Sequence, residues 1–163
     1  MSNEPKTYDV FLSFRGVDTR FTFTGNLFHA LCSKRIKTFF GDNEYDPELY
    51  TNDTNISPSA LKAIQESKIS IVVFSPGYAS SSRCLDELVA ILECGMMSNQ
   101  LVWPIFYDVH PSDVRNQRGS FGEAMCRFEE RYSEERMKKW REALFEVSNL
   151  SGWLYRIGYD YFS

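Results

Sequence analysis

Apolar residues in this chain fall into short unbroken blocks, separated by longer stretches in which they recur every three or four positions. That alternation predicts strands and helices in turn. Val10-Phe11-Leu12, Ile69-Ser70-Ile71-Val72-Val73-Phe74-Ser75 and Leu101-Val102-Trp103-Pro104-Ile105-Phe106-Tyr107 are the clearest blocks. Successive strand side chains point to opposite faces of a sheet, so unbroken apolar runs need cover on both faces, as in a parallel α/β sheet. Shorter strands are predicted at Ile36-Lys37-Thr38-Phe39-Phe40 and Gly152-Trp153-Leu154-Tyr155-Arg156-Ile157. Pro104 lacks an N–H and predicts an incomplete ladder on one side of the fourth strand.

The helical pattern runs from Thr19 to Lys34, with Phe23, Leu27, Ala30 and Leu31 on one face. Ser57-Pro58 reads as an N-cap followed by proline at the first helical position, opening a helix with Leu61 and Ile64 inward. The cluster Ser80-Ser81-Ser82 leads into a helix from Cys84 to Met97, with a buried stripe of Leu85, Leu88, Val89 and Leu92. Two more helices are predicted at 122–131 and 134–148, the second presenting Met137, Trp140, Leu144 and Val147. Segments 41–55 and 108–121 read as loops. Strands alternating with helices give a flavodoxin-like doubly wound sheet of about five parallel strands with helices on both faces. Residues 1–7 read as a polar tail and 8–163 as one domain.

A net charge of -4, with 43% hydrophobic and 15% aromatic residues, excludes a disordered chain and argues against a generally basic nucleic-acid binder. Lys138, Lys139 and Arg141 read as a solvated basic face. No apolar run approaches the roughly 20 residues that span a bilayer, so the chain reads as soluble and unsecreted, with no membrane partner. Cys32, Cys84, Cys94 and Cys126 are widely spaced, with only His29 and His110 to join them. They read as buried or semi-buried thiols in a reducing compartment and not as a metal site.

The first strand feeds directly into Phe14-Arg15-Gly16-Val17-Asp18-Thr19-Arg20. Such a loop, at the carboxyl end of a buried strand, suits an anionic ligand, and it equally suits a solvated turn with a helix cap. A phosphoacceptor receiver domain is excluded. It needs an acidic pair after its first strand and an aspartate ending its third, where this chain has Ser13-Phe14-Arg15 and Phe74-Ser75-Pro76.

Taken with that loop, the segments Tyr78-Ala79-Ser80-Ser81-Ser82-Arg83-Cys84-Leu85-Asp86-Glu87-Leu88, Phe106-Tyr107-Asp108-Val109-His110-Pro111-Ser112-Asp113-Val114-Arg115, Gly119-Ser120-Phe121, Trp140-Arg141-Glu142-Ala143-Leu144 and Leu150-Ser151-Gly152-Trp153 resemble, in order, the Toll/interleukin receptor (TIR) domain in its plant immune-receptor form. The resemblance implies a cytoplasmic or nuclear immune-signalling module that associates with other TIR domains. It also implies NAD as a substrate, cleaved or cyclised at the nicotinamide–ribose bond without a separate cofactor. Glu87 would be the catalytic carboxylate, with Phe14, Arg15, Gly16, Asp42, Ser82, Arg83 and Cys84 around the substrate and Arg20 at the rim. Gly25, Asn26, Phe28 and His29 on the first helix would serve self-association.

Three positions differ from the family pattern. Arg83 stands where active members usually have tryptophan, which predicts weak activity. Residues 42–56 contain no glycine or arginine, and Gly25-Asn26 replaces a serine-histidine pair. The family also continues past its fifth strand into a helix beside the first. With the chain stopping at Ser163, an apolar patch is expected there and weak self-association with it. Asp86 and Glu87 have a simpler reading too, as first-turn acids that favour the helix dipole. A TIR module that signals only by binding other TIR domains is the alternative to the enzyme.

Overall fold

Phe11 and Leu12, adjacent in the first strand, are both buried although they face opposite ways, which requires packing on each side of the sheet. The computed structural model describes residues 8–40 and 56–156. Its five strands are β1 Val10–Ser13, β2 Thr38–Phe39, β3 Ile69–Phe74, β4 Leu101–Tyr107 and β5 Trp153–Tyr155. They form one sheet in the order β2-β1-β3-β4-β5, and each neighbouring pair is parallel. This is the flavodoxin-like arrangement the alternation predicts.

The helices are α1 Gly16–Thr19, α2 Phe23–Ser33, α3 Pro58–Glu66, α4 Ser82–Ser98, α5 Pro111–Arg115, α6 Ser120–Glu129 and α7 Glu134–Ser148. Val10, Leu12, Phe14, Ile71 and Val73 point to one face, where Leu27, Phe28 and Leu31 of α2 cover them. Phe11, Val72, Phe74 and Phe106 point to the other, packed under α3, α4, α6 and α7. By the same two-residue alternation Ser13 shares the face of Phe11 and looks toward α4. Met137, Trp140, Leu144 and Val147 are all buried, so α7 presents the predicted stripe.

β5 pairs only with Ile105, Phe106 and Tyr107, leaving Pro104 at the edge of that ladder as expected. Gly152 enters β5 so close to β4 that a Cβ there would lie 2.2 Å from the Pro104 carbonyl oxygen. Trp153, Leu154 and Tyr155 are 62%, 50% and 41% exposed, an apolar surface on the edge strand.

Several local expectations are corrected. The helix expected over 19–34 is two pieces, because the chain turns at Arg20–Thr22. Gly25, the third residue of α2, packs against the Arg20 carbonyl, where a Cβ would sit 2.2 Å from the oxygen. Ala30 and Leu61 are exposed, and α3 is anchored instead by Ala60, Ala63 and Ile64. Segment 108–121 is not all loop: the His110 ring Nδ1 accepts from the Ser112 N–H at 3.1 Å and Pro111 opens α5, a cap followed by proline as at Ser57-Pro58. Cys32 and Cys126 are exposed thiols. The predicted 1–7 tail, the 41–55 loop with Asp42, and Ile157 lie outside the described residues.

Candidate functional site

Strand order brings the carboxyl ends of β1 and β3 together with the start of α4. From β1 the chain moves outward to β2 and then returns to the other side of β1 for β3, so the crevice between β1 and β3 is the topological switch point of the sheet, where ligands of such folds bind. Ser81 caps α4 by accepting from the Cys84 N–H at 3.2 Å, which starts the helix at Ser82. Asp86 and Glu87 therefore sit beyond the first turn, and the reading of both as acids serving the helix dipole does not hold.

Glu87 is 2% exposed. Ser13, at the end of β1, donates to its Oε2 at 2.9 Å. Ser13 Oγ also lies 2.8 Å from the Tyr78 hydroxyl, which donates to the Cys84 carbonyl at 3.1 Å. Ser13 thus ties the carboxylate to β1, and the Tyr78 hydroxyl lies beside that bond from the turn before α4. Sequence reasoning passed over both. Ser13 carried one signal, a polar residue on the inward face of an otherwise apolar strand.

Burial raises the Tyr78 phenol well above its ordinary value of 10.0, with the nearby Cys84 and Glu87 adding to the effect. The unfolded chain, whose tyrosine is unperturbed, loses this proton first. The contribution to stability is therefore complete below about pH 10 and declines as pH rises beyond it. Tyr78→Phe is expected to cost about 0.5–1.5 kcal/mol at neutral pH, through its lost hydrogen bonds. It should also flatten the alkaline loss of stability. Urea unfolding of both proteins from pH 7 to 11 checks this; parallel curves would contradict it.

Arg83 lies one turn before Glu87 and its side chain is 13% exposed. Its Nη1 donates to Glu87 Oε1 at 2.6 Å, and its Nη2 reaches the Phe14 carbonyl at 3.3 Å and the Cys84 sulfur at 3.6 Å. Phe14 offers this side of the sheet only its carbonyl, because its ring is buried on the α2 face, stacked on Phe40 at 5.0 Å. Cys84 is fully buried, and its Sγ faces the same carbonyl at 3.6 Å. Ser82 is half-buried at the first position of α4.

Across the crevice, Arg15 Nη1 pairs with Asp18 Oδ1 at 2.8 Å. The other Asp18 oxygen accepts from Ser75 Oγ at 2.6 Å and from the Gly77 N–H at 3.0 Å. This binds the loop after β1 to the end of β3. A Cβ at position 77 would lie 2.5 Å from Arg15 Nη1, so a side chain there would have to displace the Arg15–Asp18 pair. Gly16 opens α1, and the Arg20 guanidinium lies over the Phe14 and Phe40 rings at 5.7 and 5.4 Å. Asp42 lies outside the described residues.

Asp86 takes a different part from its neighbour. It accepts from Arg136 Nη2 at 2.5 Å and from Trp140 Nε1 at 2.8 Å, fastening α7 to α4. The proposed self-association residues lie apart from Glu87, on α2 and across the sheet. Asn26 and His29 are exposed and Gly25 is half-buried, while Phe28 is half-buried and stacked on Phe40 at 4.4 Å. The basic face on α7 is paired with acids, Arg141 with Glu129 of α6 and Lys138 with Glu142 of its own helix at 3.9 Å. Among the described residues no helix is long and apolar enough to cross a membrane.

The TIR domain family model matches residues 7–158. The chain belongs to the TIR domain family. It is 52% identical over 147 residues to the disease resistance protein RPV1 of Vitis rotundifolia, covering 90% of this chain and 10% of that protein. It is 49% identical over 148 residues to the TMV resistance protein N of Nicotiana glutinosa, covering 90% and 12%. This TIR domain thus spans about a tenth of the length of those relatives. Among solved structures it superposes on the TIR domains of the activated Roq1 resistosome, which directly recognises the pathogen effector XopQ. That match has a TM-score of 0.80 and 48% identity, covering 94% of this chain and 91% of that one.

Proposed function

We propose that this TIR domain cleaves the nicotinamide–ribose bond of NAD, with Glu87 as the catalytic carboxylate, in plant innate-immune signalling. The observation that carries the reading is a buried carboxylate, fixed by Ser13, at the switch-point crevice of the sheet. In the reaction the bond from ribose C1′ to the nicotinamide nitrogen breaks, and its electron pair goes to that nitrogen and cancels the ring's charge. Positive charge builds on the sugar, where a fixed carboxylate in a dry site stabilises it. Water then adds to C1′ and gives up a proton; attack by a group of the same ADP-ribose would give a cyclic product. Phe14 through its carbonyl, Arg15, Gly16, Ser82, Arg83 and Cys84, with Asp42, form the proposed substrate surround. NAD is the substrate and no cofactor or metal is required.

Self-association with other TIR domains, through the α2 face of Gly25, Asn26, Phe28 and His29, would support turnover. The TIR domains of the Roq1 resistosome support association with other TIR domains, and the α2 face is our assignment. The domain would act in the cytoplasm or nucleus. Its rival is a TIR domain that signals by association alone, and the Arg83 bond to Glu87 is the observation that favours it.

Overnight incubation of concentrated protein with NAD and a crowding agent, followed by chromatography, tests the proposal. Slow nicotinamide release, unchanged by a chelator, is expected. No release above a protein-free control would leave the association module.

A further inference from the structure

Arg83 is the second residue of α4, at the helix end that carries partial positive charge. A cation there is disfavoured by the dipole, and an arginine N-terminal to its glutamate partner at this spacing is the weaker orientation of the pair. The side chain is nonetheless held inward by bonds to Glu87 Oε1, the Phe14 carbonyl and the Cys84 sulfur. The two oxygens of Glu87 are held differently. Oε2 accepts from Ser13, a buried neutral hydroxyl rooted in β1, whereas Oε1 meets a long charged side chain that keeps some contact with solvent.

We infer that Arg83 is a latch on the carboxylate: it holds Glu87 Oε1 in a closed state, and a ligand with a cationic ring must take its place before Glu87 can act. This rests on the reading of Glu87 as the catalytic group. A carboxylate with 2% exposure cannot be left without a compensating charge except at a steep cost, so the latch stays shut until another cation arrives. Oxidised NAD brings one in its nicotinamide ring. The reduced dinucleotide is nearly the same shape with a neutral ring, and it cannot make the exchange. Arg83 thereby becomes a specificity-determining residue for the charge of the ring. The position that carries a flat aromatic platform in the family pattern carries here a competitor for the substrate's own place.

The test measures binding separately from turnover. A carbocyclic NAD, whose nicotinamide–sugar bond does not break, is titrated by calorimetry into the parent chain and into Arg83→Ala, Arg83→Gln and Arg83→Lys, each checked for folding by circular dichroism. About tenfold tighter binding is expected for Ala and Gln, little change for Lys, and no gain for the reduced dinucleotide in any of them. If Ala leaves the buried Glu87 too poorly compensated to fold, Gln decides, because it keeps a hydrogen-bond donor without the charge. Equal or weaker binding by the folded Ala or Gln protein overturns the latch, as does a Lys variant that binds like Ala. Nicotinamide release from ordinary NAD, measured on the same proteins, is expected to rise about tenfold in Ala and Gln. If none of them releases nicotinamide while the binding gain appears, the latch stands and the enzyme reading fails. If the parent releases nicotinamide and neither variant binds better, the enzyme reading stands and the latch fails.

Discussion

Glu87→Gln is expected to lower nicotinamide release from NAD by about 10²–10³-fold or more, the scale on which one preorganised electrostatic contact acts in a dry site. The glutamine retains the shape of the side chain and can still accept from Ser13, so loss of release in a folded variant would be assigned to the lost charge. Glu87→Ala is the poorer test. Read as a first-turn helix acid, Glu87 would contribute at most about 1 kcal/mol. It is instead buried and paired, with Ser13 on one oxygen and Arg83 on the other. Removing the carboxylate charge costs about 3–5 kcal/mol in either variant, because the Arg83 charge stays buried, and Ala adds a cavity and leaves Ser13 without its acceptor. Denaturant unfolding beside the chromatographic assay separates the two effects. A folded Glu87→Gln protein that releases nicotinamide at the parental rate would remove Glu87 from the mechanism.

Trp140→Ala should produce the largest loss of stability that comes from packing. Its side chain is fully buried, with ring centroids 5.4 Å from Phe128 and 4.9 Å from Tyr132, and its indole N–H donates to Asp86. Deleting a buried tryptophan costs about 3–5 kcal/mol in lost transfer energy and cavity. The effect reaches α4 through Asp86, which also holds Arg136, whose guanidinium lies 5.2 Å from the Trp140 ring centroid. Urea unfolding of Trp140→Ala, Asp86→Asn and the double variant should show non-additivity of at least about 0.5 kcal/mol, as for residues in one hydrogen-bonded network. Strict additivity would mean that α7 and α4 are fastened by other contacts.

The adjacent acids Asp86 and Glu87 show where sequence reasoning stopped. Both were visible in one motif on a helix whose start the serine cluster nearly placed. Separating a structural acid from a candidate catalytic one required knowing what each faces: α7 for Asp86, the end of β1 for Glu87. The same limit applies to Arg83. Its spacing from Glu87 allows contact on one face of α4, but the sequence does not reveal that this face is buried against the Phe14 carbonyl; the resemblance places the arginine only among the residues around the substrate.

Local pattern controls the elements and the family. Unbroken apolar runs at Val10-Phe11-Leu12 and Ile71-Val72-Val73-Phe74 dictate strands covered on both faces, Ser57-Pro58 dictates a helix start, and the ordered motifs dictate the TIR family, as the match over residues 7–158 bears out. The partners of those residues are set by the three-dimensional fold. Ser13 and Glu87 are 74 positions apart, Arg83 and Phe14 are 69 apart, and Asp18 and Gly77 are 59 apart. No local rule relates such positions. They meet because a parallel sheet brings the ends of β1 and β3 side by side, and the side chains that converge there are chosen by register and packing, which a one-dimensional pattern does not contain.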